Sequence, residues 1–241
     1  MVTLEKRGRV YLLTLTGDGE HRLNPALIGD LHSALSQIRA EASATGGVGG
    51  AALVIAAEGR FFSNGFDLKW ASEKSPDSHR RSRLMTSAFQ RTLAALISLP
   101  MPTVAAVTGH AAAAGFFLVL AHDYALMRAD RGFLYMSEVD RGLPIIDAVM
   151  SLARAKMAPR ARREALLGGA KLTAAAAAER GIVDGVCGGA AETVAAAVRL
   201  GEELAGLTWD GPSYAAARIA VFPEFAKIVE LAAEEDPKSK L

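Results

Sequence analysis

Apolar positions recur with two different periods along the chain, and the balance between them shifts near residue 135. Residues 10–16 alternate, with Tyr11, Leu13 and Leu15 in phase, which predicts a short strand. Residues 17–20 turn the chain. Asn24-Pro25 then supplies a helix cap and a first-turn proline. Leu27, Leu31, Leu35 and Ile38 follow at spacings of three and four, one face of a helix. Residues 45–50 form a Gly-rich connector, and the unbroken apolar run 51–57 predicts a strand. Residues 61–68 predict a loop with two tight positions, Asn64 and Gly65. A polar stretch, 71–83, precedes a helix that ends near residue 99, before Pro100 and Pro102. Further strands are predicted at 103–107, 123–127 and 133–135. Gly109 breaks the first of these, and residues 112–120 predict a buried helix.

Beyond Pro144 the pattern is mostly helical, over 148–155, 159–167, 174–180, 192–207 and 213–235. Gly181 closes the third of these as a C-cap. Ile182, Val183 and Val186 form a short hydrophobic segment between them. No internal repeat of fixed period is present. Apolar strands alternating with helical segments predict an α/β fold, a sheet covered by helices.

Composition narrows the function classes. The 241 residues can bury a substantial core without metal or disulfide. Lys plus Arg is 27 and Asp plus Glu is 26, a net charge of +1, so bulk charge makes no case for nucleic acid. Cys187 is the single cysteine and cannot form an intrachain disulfide, which points to a reducing compartment. The first nine residues hold Glu5, Lys6, Arg7 and Arg9 and lack the apolar core of a secretory signal. The apolar run 101–121 is broken by Pro102, Gly109, His110 and Gly115, so no membrane span is expected. The last three residues, Ser239-Lys240-Leu241, spell the tripeptide read by the peroxisomal import receptor. The expected location is the peroxisome matrix, with that receptor as a partner.

Two glycine-containing stretches carry the candidate chemistry. One is Phe61-Phe62-Ser63-Asn64-Gly65-Phe66-Asp67-Leu68, and the other runs from Gly109 to Phe116. Each follows a predicted strand. Backbone N–H groups at two such turns can aim at one oxygen and hold negative charge there. Spacing alone also fits ordinary turns. His110 and His122 have no third ligand at metal spacing, so no metal is expected. The glycine spacings match no phosphate loop or dinucleotide fingerprint.

These two stretches, in this order and separation, resemble the enoyl-CoA hydratase/isomerase family, the crotonases. The similarity runs to about Tyr214 and is greatest to plant-type peroxisomal Δ3,Δ2-enoyl-CoA isomerases, in residues 61–70, 101–123 and 131–143. The resemblance implies a spiral of repeated β-β-α units, with two sheets ringed by helices. It implies a core over residues 1–190, a C-terminal helical region over 191–236 that mediates trimers or hexamers, and an exposed tail over 237–241. It also implies that an acyl-CoA thioester places its carbonyl oxygen between the N–H groups of Phe66 and Ala114. Ser63, Asn64, Gly65, Asp67 and Leu68 would line the thioester, although Asp67 also suits a role in ordering its own loop.

Hydratases of the family use two glutamates. The first matches Phe117 here, and a phenyl ring transfers no proton. The second matches Glu138, four residues before Gly142. Asp140 is a rival carboxylate that would point the same way on an extended strand. One carboxylate suffices to carry a proton from C2 to C4, whereas adding water usually needs two groups. The expected activity is therefore conversion of 3-enoyl-CoA to 2-trans-enoyl-CoA in β-oxidation of unsaturated fatty acids, with no cofactor beyond the coenzyme A of the substrate. The alternatives are a hydratase or other crotonase reaction, and a non-catalytic acyl-CoA-binding scaffold. Lys69 and the basic run His79, Arg80, Arg81 and Arg83 suit either coenzyme A phosphates or a solvated charged face.

Overall fold

Nine strands, ten α-helices and one π-helical turn account for the regular structure in a computed structural model that describes residues 1–44, 50–72, 77–207 and 210–234. Most of the connector at 45–50 and the terminal tripeptide lie outside the described residues.

The chain opens on a hairpin, β1 (Val2–Arg7) against β2 (Val10–Leu15). The hydropathy pattern does not announce β1. Its outer residues Glu5, Lys6 and Arg7 are exposed on a sheet edge, where charge blocks pairing with other chains. Helix α1 (Pro25–Ala44) starts where the Asn24 side chain accepts from the Leu27 N–H at 3.0 Å, and it buries Leu27, Leu31, Leu35 and Ile38.

Three β-β-α turns follow. The first joins β3 (Ala52–Ala57), β4 (Phe61–Ser63), α2 (Leu68–Ser72) and α3 (Ser78–Ile97). The second joins β5 (Thr103–Val107), β6 (His110–Ala112) and α4 (Ala114–Leu120). The third joins β7 (Tyr124–Arg128), β8 (Leu134–Tyr135) and α5 (Asp147–Lys156). In each turn the first strand enters one sheet and the second strand enters another. The large sheet runs β1-β2-β3-β5-β7-β9 with β9 (Gly185–Cys187) at its edge, and all its pairs beyond the hairpin are parallel. The small sheet runs β4-β6-β8 and is wholly parallel. This is the expected spiral. Two strands of the small sheet depart from the sequence reading: β4 and β6 are only three residues each, too short for a period to show.

The central strands of the large sheet are buried on both faces, which explains the unbroken apolar runs of β3 and β5. Leu13, Leu53 and Ile55 share one apolar cluster with the buried residues of α1 and α3, while Val10, Leu12, Val54 and Val104 form a second cluster against α8 (Ala190–Gly206). Among the helices after residue 190, α8 thus covers the second cluster, while buried residues of α10 join the first. The predicted helix 159–167 is α-helical only over α6 (Pro159–Arg162) and continues as a π turn (Arg163–Leu167). After α7 (Ala174–Glu179), Gly181 takes φ +64 and its N–H donates to Ala178 O, as a C-cap should. The predicted helix 213–235 is two helices, α9 (Gly211–Val221) and α10 (Glu224–Glu234), broken at Phe222-Pro223. Phe225 and Ile228 of α10 are fully buried, and α10 packs on the chain's own α3 and α5.

Arg218 of α9 reaches into the molecule and is 4% exposed. Its guanidinium donates to both Asp123 carboxylate oxygens at 2.6 and 2.7 Å. The remaining donors meet the carbonyls of Ile97, Leu99 and Met101 at 2.6 to 2.8 Å. Burial pushes the Asp123 carboxyl up, but hydrogen bonds and charge from Arg218 outweigh it, and the group stays below its ordinary value. One side chain thus ties the C-terminal helices to the loop before β5 and to the start of β7. His122, beside it, is fully buried and donates Nδ1–H to Leu118 O at 2.9 Å; burial lowers its pKa to about 4.

Candidate active site

The small sheet assembles the site. Its strands are parallel, so their C-terminal ends share one edge. Ser63 leads into Gly65 and Phe66, Ala112 into Ala113 and Ala114, and Tyr135 into Glu138. Topology alone sets the first two turns against each other, with Gly65 beside Ala113, and joins the second to the end of β8 through Ala113 N–H and Tyr135 O.

Gly65 adopts φ +72, a left-handed conformation that a side chain rarely takes. It also lies against the second turn. A Cβ at Gly65 would stand 2.9 Å from Ala113 Cβ, 3.0 Å from Ala112 O and 3.4 Å from Ala114 N. Asn64, expected as a second tight position, is not among the residues with positive φ. Ala113 is, at φ 53 and ψ −122. That conformation is strained for alanine and typical of a functional turn. An alanine carries no sequence signal for it. Ala113 is held by its N–H donating to Tyr135 O at 3.0 Å, which also moors the end of β8 to this turn. Among the described residues, the N–H groups of Phe66 and Ala114 have no hydrogen-bond acceptor. Ala114 opens α4, so its N–H is one of the donors a helix start leaves unsatisfied.

The loop around Phe66 is fastened at several points. Ser63 is fully buried; its hydroxyl donates to His21 O at 2.9 Å and accepts from Gly65 N–H at 3.3 Å. Asn64 N–H donates to Glu20 O. Asp67 accepts from Trp70 N–H at 3.0 Å and its own N–H donates to Leu23 O, the loop-ordering part the sequence suggested. Leu68 is exposed. The Phe66 ring meets Phe89 edge-on at 5.3 Å.

Glu138 is half-buried in a turn over residues 138–142, where its carbonyl accepts from the N–H groups of Arg141 and Leu143. The sequence treated this stretch as a possible strand that would align Glu138 with Asp140. The turn separates them. Asp140 is exposed and faces Gly169, where a Cβ would lie 3.3 Å from its Oδ2. The Ser137 N–H donates to Glu138 Oε2 at 2.9 Å. Burial raises the Glu138 carboxyl above its ordinary value, against the lowering by backbone hydrogen bonds and the Arg141 charge. Phe117 is buried on α4 and stacks near Phe116, ring centroids 6.5 Å apart.

His110 lies between Phe61 and Phe133, at centroid distances of 5.1 and 5.5 Å. Burial, then the charges of Arg60, Arg131 and Lys171, lower its pKa, and its Nδ1 has no hydrogen-bond partner among the described residues. Among those residues no group of three His, Cys, Asp or Glu side chains is placed to hold a metal ion. No helix described is long and apolar enough to cross a membrane.

Two linked sheets built from β-β-α turns, with two acceptor-free N–H groups at the edge of the smaller one, define the crotonase fold. The chain belongs to the enoyl-CoA hydratase/isomerase family, whose sequence pattern matches residues 6–211. It is 48% identical over 235 residues to enoyl-CoA delta isomerase 2, peroxisomal, of Arabidopsis thaliana, covering 96% of each chain. It is 49% identical over 225 residues to enoyl-CoA delta isomerase 1, peroxisomal, of the same plant, covering 93% of this chain and 90% of that one. The fold is shared with a crystal structure of a probable enoyl-CoA hydratase from Mycobacterium tuberculosis, at a TM-score of 0.83 and 24% identity, covering 96% of this chain and 92% of that one.

Proposed function

We propose that this chain moves the double bond of a 3-enoyl-CoA thioester to the 2-trans position, as an enoyl-CoA isomerase of β-oxidation. The Glu138 carboxylate removes a proton from C2. Negative charge passes to the thioester oxygen, where the Phe66 and Ala114 N–H groups hold it. The protonated Glu138 returns the same proton at C4, and the carboxylate is regenerated. No cofactor takes part beyond the coenzyme A that the substrate carries.

The observation that carries this reading over hydration is Phe117. An apolar ring, 2% exposed, occupies the position where a hydratase of the family has its first glutamate. Adding water would need a second proton-transfer group, and the ring supplies none. The test compares purified protein on a 3-enoyl-CoA and a 2-enoyl-CoA. Rapid conversion of the first and slow hydration of the second are expected; dominant hydration would sink the reading.

The peroxisome matrix is the proposed location, supported by the terminal Ser239-Lys240-Leu241 and by the names of two relatives. A trimer, or a multiple of three, is the proposed assembly. Exposed Leu167, Leu207 and Val221 are available for subunit contacts, whereas the Phe225 face of α10 is covered within the chain. A monomeric mass by light scattering at micromolar protein would refute it.

A further inference from the structure

A chain of net charge +1 concentrates positive charge on one helix. Over its 20 residues α3 carries His79, Arg80, Arg81, Arg83 and Arg91 and no Asp or Glu. Two of the arginines, Arg80 and Arg81, sit in the first turn, where the helix dipole disfavours cations. Arg81 stacks over the Trp70 ring at 5.4 Å and donates to Trp70 O. Arg80, Arg83 and Arg91 differ: among the described residues they have no ion pair and no hydrogen-bond partner. Helix α2, packed beside them, adds exposed Lys69. No carboxylate of α1 or α10, which also pack on α3, pairs with these arginines among the described residues.

The placement of apolar residues is equally uneven. Met85, Phe89, Leu93 and Leu96 face the core. On the outer side, positions 80, 84, 87 and 91 follow at helical spacing and form one stripe with Arg83 at its flank. Leu84 stands within that stripe at 54% exposure, and Leu68 of α2 is also exposed. Arginine heads beside outward leucines form the combination that suits a lipid interface, phosphate for the guanidinium and acyl boundary for the leucine. A nucleic acid would need stacking rings, and the stripe contains none.

We propose that the outer face of α3 docks this protein on an anionic phospholipid surface. The proposal stands on charge and exposure and is independent of the isomerase reading.

The test is co-sedimentation of the full-length protein with vesicles of phosphatidylcholine, alone or with about one part in three phosphatidylserine. Binding to the anionic vesicles only is expected, falling at least about fivefold between roughly 50 and 300 mM salt as the charges are screened. Arg80→Glu with Arg83→Glu should reduce it as much, and Leu84→Ser should reduce it about twofold to threefold. Circular dichroism confirms that the variants fold, as substitutions on an exposed face should allow. Absent binding, equal binding to neutral vesicles, or unchanged binding of the double variant overturns the proposal. So does displacement by free coenzyme A at matched ionic strength, which would assign the face to the phosphates of a thioester.

Discussion

Gly65 and Ala113 touch: a Cβ added to Gly65 would come within 2.9 Å of the Ala113 Cβ. The contact sets two turns from different β-β-α units against each other, with the Phe66 and Ala114 N–H groups one residue beyond. Gly65→Val cannot keep φ +72 without strain and cannot keep the spacing. The expected result is a folded protein with kcat lower by about 100- to 1,000-fold, the cost of losing one oxyanion donor. Steady-state kinetics checks it, with circular dichroism for folding. Near-normal turnover would remove the Phe66 N–H from the mechanism.

Glu138 and Asp140 lie two residues apart but in different surroundings, half-buried and exposed. Glu138→Gln keeps the shape and removes the base. It should still bind the thioester and lose at least about 100-fold in turnover. Asp140→Asn should lose much less. The reverse order of damage would mean that the base is misassigned.

The pH profile follows from the same carboxylate. Its folded pKa is raised by burial, and only the ionised form takes a proton. Activity therefore rises with pH through the Glu138 pKa, and the acid limb of kcat/KM should inflect above about 4.3, the ordinary glutamate value. In Glu138→Gln the residual rate should lose that limb. A wild-type inflection at or below the ordinary value would show the carboxyl to be solvated during turnover.

Arg218 and Asp123 are a buried ion pair joined by two hydrogen bonds. Arg218→Met strands a carboxylate in the core and frees three carbonyls, so a loss of about 3–5 kcal/mol is expected from urea unfolding. Because the folded Asp123 pKa is lowered, its contribution is present above about pH 4 and is lost as pH falls through the folded value. The variant should accordingly show a flatter stability curve on the acid side. A loss below about 1 kcal/mol would place the pair among solvated ones.

The terminal tripeptide predicts a result in cells. An N-terminally tagged protein should enter peroxisomes, and removing Leu241 should leave it in the cytosol. Import unaffected by the deletion, scored by fluorescence microscopy, would show that the address lies elsewhere.

Local pattern was sufficient wherever the physics is local. Asn24 capping, the Leu27–Leu31–Leu35–Ile38 face, the buried strands 52–57 and 103–107 and the Gly181 cap depend on neighbours a few residues away, and all stand in the structure as the hydropathy pattern predicts. The two glycine stretches and Glu138 were singled out by their resemblance to a family, and the structure sets the two stretches against each other. Other features have no local signature. β1 is charged because it is an edge, and β4 and β6 are shorter than any period. Glu138 and Asp140 part company because their segment turns instead of extending. Ala113 is strained only because Gly65 and Tyr135 fix it from either side. Arg218 finds Asp123 across 95 residues, a distance over which hydrophobic periodicity is silent and only the path of the chain decides who meets.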